Sequence, residues 1–129
     1  MTKIMILEDS MDSLMALTAM IKKISKDIAV VPVESLEKAR AALQDEANLF
    51  QAFLLDINLD EQDMEDASGM EFARQVRNDI RYAFTPLVMI TSIANLELAA
   101  YRELHCYQYI LKPYDEEEIE KLIHKVLFQ

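Results

Sequence analysis

The chain has 129 residues, of which 13 are basic and 23 acidic, so its formal net charge at pH 7 is −10. This length predicts a single domain over residues 1–129, and the negative charge argues against binding of the nucleic acid backbone. The single glycine, Gly69, excludes glycine-rich nucleotide-binding loops, and the single cysteine, Cys106, excludes an internal disulfide.

Five short apolar runs predict β-strands that are covered on both faces. They span residues 4–7, 28–33, 52–55, 86–90 and 107–111. These runs are too short for helices, and several are continuous rather than alternating, as in buried parallel strands. None approaches the roughly 18 apolar residues of a membrane helix, and the amino terminus lacks the pattern of a signal peptide. We therefore expect a cytoplasmic protein without membrane contact.

Apolar residues at helical spacing lie between the predicted strands. Four stripes are clear: Leu14, Leu17, Ile21 and Ile24; Leu36, Ala39 and Leu43; Phe72, Ala73, Val76 and Ile80; Ile119, Leu122, Ile123 and Val126. The remaining helix, which is the fourth in chain order and spans residues 95–104, has a weaker stripe. Ser68 with Glu71, and Asp115 with Glu118, have the spacing of capping boxes that open helices.

The order of these elements is (βα)5. Alternating strands and helices predict an α/β fold with a doubly wound, parallel, five-stranded sheet connected by right-handed crossovers. Ligands of such folds bind at the carboxyl ends of the strands. We therefore expect the functional residues at that edge of the sheet.

Residues with chemical function follow four of the predicted strands. They are Glu8 and Asp9 after the first, Asp56 after the third, Thr91 and Ser92 after the fourth, and Lys112 and Pro113 after the fifth. Clustered carboxylates repel one another unless a cation is near, and a set of oxygen ligands suits Mg²⁺. A lysine and a hydroxyl opposite them supply the charge and the hydrogen bond that a phosphoryl group needs. No histidine or cysteine joins the set, so the sequence predicts a magnesium-dependent phosphoryl site rather than a hydrolase triad.

These residues, in this order, resemble the receiver domain of two-component response regulators. The motifs that carry the resemblance are Glu8-Asp9, Asp56, Thr91-Ser92 and the stretch from Tyr109 to Pro113. The resemblance covers essentially the whole chain and implies the flavodoxin-like fold of receivers. Residues 85–114 are also similar to receivers that precede a LytTR-type DNA-binding domain.

The resemblance implies that Asp56 is the phosphoacceptor and that the site holds Mg²⁺. Asp9 would bind the metal directly and Glu8 would bind it through water. Asp56 and the backbone carbonyl of Asn58 would complete the ligand set.

The resemblance also implies the residues that respond to phosphorylation. Thr91 would donate a hydrogen bond to the phosphoryl group, and Lys112 would pair with it. Lys112 and Pro113 would be joined by a cis peptide bond. Tyr109 would be an aromatic switch, with a half-exposed strand aromatic as the alternative.

The implied partner is a sensor histidine kinase or a phosphotransfer protein, which would donate the phosphoryl group. The output surface would comprise the helix over residues 95–104, the last strand and the last helix, with Tyr101 and Tyr107 available for contacts. A phosphorylation-dependent homodimer is expected, with transcription controlled by a C-terminal domain outside this sequence. A stand-alone receiver that acts through protein–protein contacts is the alternative.

One segment departs from the family pattern. The third helix of receivers begins soon after the phosphoacceptor, whereas Gly69 stands 13 residues beyond Asp56. The enlarged loop, residues 57–68, carries an acidic run formed by Asp60, Glu61, Asp63, Glu65 and Asp66. A solvated surface is the simpler interpretation of this run, and a partner contact is the other.

Two further functions use related residues. A phosphatase of the haloacid dehalogenase type also forms an aspartyl phosphate at a strand end, but it needs a second aspartate as general acid where this chain has Asn58. A pseudo-receiver binds partners without phosphate and typically lacks one of the key residues, all of which are present here. Both hypotheses are therefore weaker than the phosphoacceptor.

Overall fold

A computed structural model describes residues 2–60 and 62–128. Glu61 of the predicted acidic run, and Met1 and Gln129 at the ends of the predicted domain, lie outside the described residues. In the described part of the chain, no helix is long and apolar enough to cross a membrane.

The structure is a five-stranded parallel sheet with helices on both faces, as the sequence predicts. The strands are β1 (Thr2–Leu7), β2 (Ile28–Val33), β3 (Ala52–Leu55), β4 (Leu87–Thr91) and β5 (Gln108–Leu111). The helices are α1 (Met11–Ile24), α2 (Leu36–Gln44), α3 (Ser68–Asn78), α4 (Glu97–Leu104) and α5 (Glu116–Phe128), with a short 3₁₀ helix at Ile80–Tyr82. The strand order is β2-β1-β3-β4-β5, so β3 lies in the centre of the sheet.

Two apolar layers cover the sheet. Residues of α1 and α5 pack on one face, and residues of α2, α3 and α4 pack on the other. All four residues of β3 and all five of β4 are buried, which explains why these strands are continuously apolar. The doubly wound arrangement therefore follows from strands that have two faces to cover.

Serine side chains open the first two helices. The Ser10 hydroxyl accepts a hydrogen bond from the backbone N–H of Ser13 at 3.4 Å, and the Ser35 hydroxyl accepts one from the N–H of Lys38 at 3.2 Å. Each serine satisfies a backbone donor that the first helical turn leaves unpaired. Both serines stand two or three residues after a strand end, so each helix begins close to the edge of the sheet.

Two predictions about the third helix are wrong. Ser68 does not cap α3, because the cap position is taken by Ala67, and the Ser68 hydroxyl instead donates to the Asp66 carboxylate at 2.9 Å. Ile80 does not belong to the buried stripe, since α3 ends at Asn78 and the Ile80 side chain is 92% exposed. The chain leaves the helix before the stripe completes its next turn.

The fourth and fifth helices agree with the sequence more closely. Helix α4 begins at Glu97, two residues later than expected, and ends at Leu104; the next residue, His105, has a left-handed backbone with φ of 50°. Helix α5 begins directly after Asp115, where the spacing of Asp115 and Glu118 placed its start.

Candidate functional site

Three carboxylates meet at the carboxyl edge of the sheet. Glu8 and Asp9 follow β1, and Asp56 follows the neighbouring strand β3. One carboxylate oxygen from each of the three lies within 4.8 Å of the others, which is close enough to share a metal ion. Glu8 and Asp56 are buried, at 5% and 4% exposure, whereas Asp9 is half-buried. Parallel strands bring these residues together because their carboxyl ends share one edge.

Lys112 supplies the positive charge at this site. Its Nζ donates hydrogen bonds to Glu8 Oε2 and to Asp56 Oδ2, both at 2.7 Å. Burial opposes the charged amine, but the bonds to Asp56 and Glu8 outweigh it and raise the pKa of Lys112. The Lys112–Pro113 peptide bond is cis. One ammonium group faces three carboxylates, so the site retains an excess of negative charge.

The pKa of Glu8 reflects both its burial and its carboxylate neighbour. Burial, followed by the nearby Asp56 carboxylate, raises the pKa of Glu8 to about 7, although the bond to Lys112 acts in the opposite direction. A raised carboxyl pKa means that the environment disfavours the ionised form. A further cation would relieve that cost, so the site is suited to bind one.

The Asp56 carboxylate has defined partners on both oxygens. Oδ2 accepts from Lys112, and Oδ1 accepts from the backbone N–H of Asn58 at 3.2 Å. Asn58 is held in turn, because its side chain donates to the carbonyl of Asp63 at 2.9 Å and accepts from the N–H of Asp60 at 3.0 Å. Asp56 is therefore held in one orientation.

Gly69 brings α3 against the backbone of this strand end. Its N–H donates to the carbonyl of Ile57 at 2.8 Å. A Cβ atom at this position would lie 1.9 Å from the Asp56 carbonyl oxygen and 2.7 Å from Ile57 Cα. The sequence identified Gly69 only by its rarity, and its close contact with the Asp56 backbone was not predicted.

Thr91 and Tyr109 are connected through Ile93. The Thr91 hydroxyl, fully buried, accepts from the backbone N–H of Ile93 at 3.3 Å, and the Tyr109 hydroxyl donates to the carbonyl of the same residue. The Tyr109 ring is buried at 7% exposure, so it is not a half-exposed aromatic. Burial, and next the charge of Glu97, raise the pKa of Tyr109 to about 12. Sequence reasoning missed Ile93, because its backbone rather than its side chain makes these bonds.

Tyr101 attaches α4 to the edge strand. Its hydroxyl accepts the backbone N–H of Tyr109 at 3.0 Å, and burial raises its pKa. The two tyrosines therefore connect β5 with α4 and with the segment that precedes α4.

A cavity of about 560 Å³ lies above the Asp56 carboxylate. Its walls are formed by the predicted site residues and by several that the sequence did not indicate: Glu8, Asp9, Asp56, Asn58, Met64, Ser92, Ile93, Ala94, Asn95 and Lys112. The arrangement offers a buried carboxylate, an adjacent ammonium group and a set of oxygen atoms that could bind a cation.

Comparisons with known proteins agree with this geometry. The family model for the response regulator receiver domain matches residues 4–124. No curated protein matches the chain. Among solved structures, the chemotaxis response regulator CheY4 of Vibrio cholerae is 23% identical with a TM-score of 0.79, and the match covers 98% of this chain and 99% of that one. A signal receiver domain from Clostridium thermocellum is 22% identical with a TM-score of 0.82, covering 99% and 98%. A sensor protein from Polaromonas sp. JS666 is 27% identical with a TM-score of 0.76, covering 97% and 94%.

Proposed function

Because the chain belongs to the response regulator receiver domain family, we propose that it is a phosphorylation-controlled switch with Asp56 as its phosphoacceptor. The phosphoryl donor is a histidine kinase or a phosphotransfer protein of a two-component system. The observation that carries the proposal is the pair of hydrogen bonds that the Lys112 ammonium group donates to Asp56 and Glu8, at 2.7 Å each. This contact places a positive charge on the carboxylate that would receive a dianionic group.

Mg²⁺ fits the donor set of this site. Carboxylate oxygens are the ligands that this ion prefers in proteins, and Glu8, Asp9 and Asp56 provide them within 4.8 Å of one another. These three residues would hold the ion together with the backbone carbonyl of Asn58. When bound, it supplies positive charge that offsets the repulsion between the carboxylates and the incoming phosphoryl group.

The transfer needs few groups from the protein. An oxygen of the Asp56 carboxylate forms the new bond to phosphorus, while the bond from phosphorus to the imidazole nitrogen of the donor breaks. Asp56 is ready to act as a nucleophile because the bonds from Lys112 and Asn58 hold its carboxylate in place. Lys112 stays paired with the negative charge during the transfer, and the Thr91 hydroxyl turns to donate to a phosphoryl oxygen.

The output is a change of surface around α4, β5 and α5. When the Thr91 hydroxyl turns towards the phosphoryl group, the backbone N–H of Ile93 loses its acceptor. The segment before α4 then shifts, and the bond from the Tyr109 hydroxyl to Ile93 passes this shift to β5. The Tyr109 ring is already buried. We therefore attribute the output to movement of the segment before α4 rather than to an inward rotation of the Tyr109 ring. A homodimer or an effector would recognise the changed surface, with transcription or a direct protein contact as the result.

Phosphorylation by a small donor tests this function. With acetyl phosphate and Mg²⁺, the intact-mass spectrum should gain one phosphoryl group, and Asp56→Asn should abolish the gain. Glu65→Gln, which changes an exposed carboxylate beyond β3, is the control and should be labelled like the parent. Equal labelling of the Asp56 variant would refute the assignment, and labelling without Mg²⁺ would refute the role of the metal.

A phosphomimetic complex tests the output. Beryllofluoride with Mg²⁺ should shift the amide NMR signals of residues 91–104 and of Tyr109, and Thr91→Ala should suppress the shifts beyond Ile93. Changes confined to the neighbours of Asp56 would contradict the proposed route through Ile93.

A further inference from the structure

The enlarged loop after β3 carries a residue that the phosphoacceptor function does not use. We propose that Met64 restricts the access of water to phosphorylated Asp56 and thereby prolongs the phosphorylated state. This inference rests on the proposed function of Asp56 and concerns the rate at which that state decays.

The loop is fastened over the strand end by its own polar groups. The Asn58 side chain donates to the carbonyl of Asp63 at 2.9 Å. The Asp66 carboxylate accepts from the backbone N–H of Leu59 at 2.8 Å and from the Ser68 hydroxyl at 2.9 Å. These bonds tie Asp63 and Asp66 to the start of the loop, and Met64, which follows Asp63, is thereby held beside the site.

That place makes Met64 part of the cavity wall above Asp56. The cavity is otherwise lined mainly by charged and polar residues, and Met64 and Ile93 are the large apolar side chains among its described walls. The Met64 side chain is 81% exposed, so it stands where the cavity meets solvent. An apolar group at this opening occupies space that water would fill.

Water has to enter this cavity for the acyl phosphate to decay. In hydrolysis, the water oxygen forms a bond to phosphorus, the bond between phosphorus and the Asp56 oxygen breaks, and a proton of the water passes to solvent. The products are the Asp56 carboxylate and inorganic phosphate. A thioether is only a weak hydrogen-bond acceptor, so it neither orients nor deprotonates the attacking water. Met64 therefore slows the reaction by excluding water.

Decay of the labelled protein tests the inference. The full chain is phosphorylated with acetyl phosphate and Mg²⁺, the donor is removed, and loss of the phosphoryl group is followed by mass spectrometry. Met64→Ala should decay about three- to tenfold faster than the parent, a size consistent with altered water access and an unchanged set of charges. Met64→Leu, which keeps an apolar side chain of similar size, should decay at the parental rate.

Met15→Ala is the matched control. Met15 is also a largely exposed methionine, at 65%, but it lies on α1 and is not part of the cavity wall. Its variant should decay like the parent, and both alanine variants should unfold at the parental temperature. Equal decay of the Met64→Ala variant and the parent would overturn the inference while leaving Asp56 as the phosphoacceptor. A parent protein that takes up no phosphoryl group would overturn the proposed function itself.

Discussion

Replacement of Gly69 by alanine should disturb the site around Asp56 through the backbone. The glycine does not have a positive φ, so alanine can adopt its conformation, and in a helix alanine is favoured over glycine by about 1 kcal/mol. The new Cβ would nevertheless lie 1.9 Å from the Asp56 carbonyl oxygen, where ordinary contact begins at 3.4 Å. The start of α3 and the end of β3 must therefore separate by roughly 1.5 Å, as that contact distance requires.

This separation has a cost that exceeds the gain in helix propensity. It breaks the 2.8 Å bond from the Gly69 N–H to the Ile57 carbonyl, and it opens the packing of two buried segments. Overpacking of this kind costs about 1–3 kcal/mol, and a lost buried hydrogen bond adds about 1 kcal/mol. After the gain in propensity is subtracted, Gly69→Ala should lower the free energy of unfolding by about 2 kcal/mol.

Urea unfolding followed by circular dichroism measures this change. Asn78→Ala, an exposed position at the other end of the same helix, is the control and should change the stability by no more than about 0.5 kcal/mol. Because Asp56 moves with its backbone, the Gly69 variant should also accept phosphate from acetyl phosphate more slowly. A Gly69→Ala protein as stable as the parent would show that the close contact with the Asp56 carbonyl is not what requires glycine here.

Three further predictions concern single side chains. Lys112→Met should raise the affinity for Mg²⁺ by about three- to tenfold, because the ammonium group held by Glu8 and Asp56 competes with the metal. Calorimetric titration measures this affinity, and weaker binding by the variant would contradict the prediction. His105→Gly should raise the free energy of unfolding by about 0.5–1 kcal/mol, since φ of 50° strains any residue with a Cβ, whereas His105→Ala should bring no gain. Burial raises the pKa of Cys106 to about 11, so the reactive thiolate is scarce at pH 8. A disulfide reagent should therefore react far more slowly with the native protein than with the unfolded one. Equal rates in both states would mean that this thiol is not buried.

The sequence determined most of the architecture. Runs of apolar residues that are short and continuous mark strands with two covered faces, and β1, β2 and β3 end where these runs end. Stripes at helical spacing marked the helices between them. Such patterns are readable because each depends on a few neighbouring positions and on the need to bury apolar area.

The composition of the site was also accessible from the sequence. Glu8, Asp9 and Asp56 stand directly after predicted strands, and a parallel sheet brings strand ends to one edge whatever the details of packing. The contact of Lys112 with two of these carboxylates agrees with the chemistry expected of a lysine at the same edge.

Only the tertiary structure decided which polar groups pair with one another. Ser68 has the spacing of a helix cap but bonds to Asp66, because the loop folds back to bring that carboxylate within reach. The guanidinium of Arg77 donates to four backbone carbonyls between residues 82 and 105, and no sequence pattern marks it. The burial of Tyr109, the bridging role of Ile93 and the place of Met64 in the cavity wall belong to the same class. Periodicity encodes which face of an element is apolar, whereas these contacts join segments far apart in the chain and depend on how the elements pack against one another.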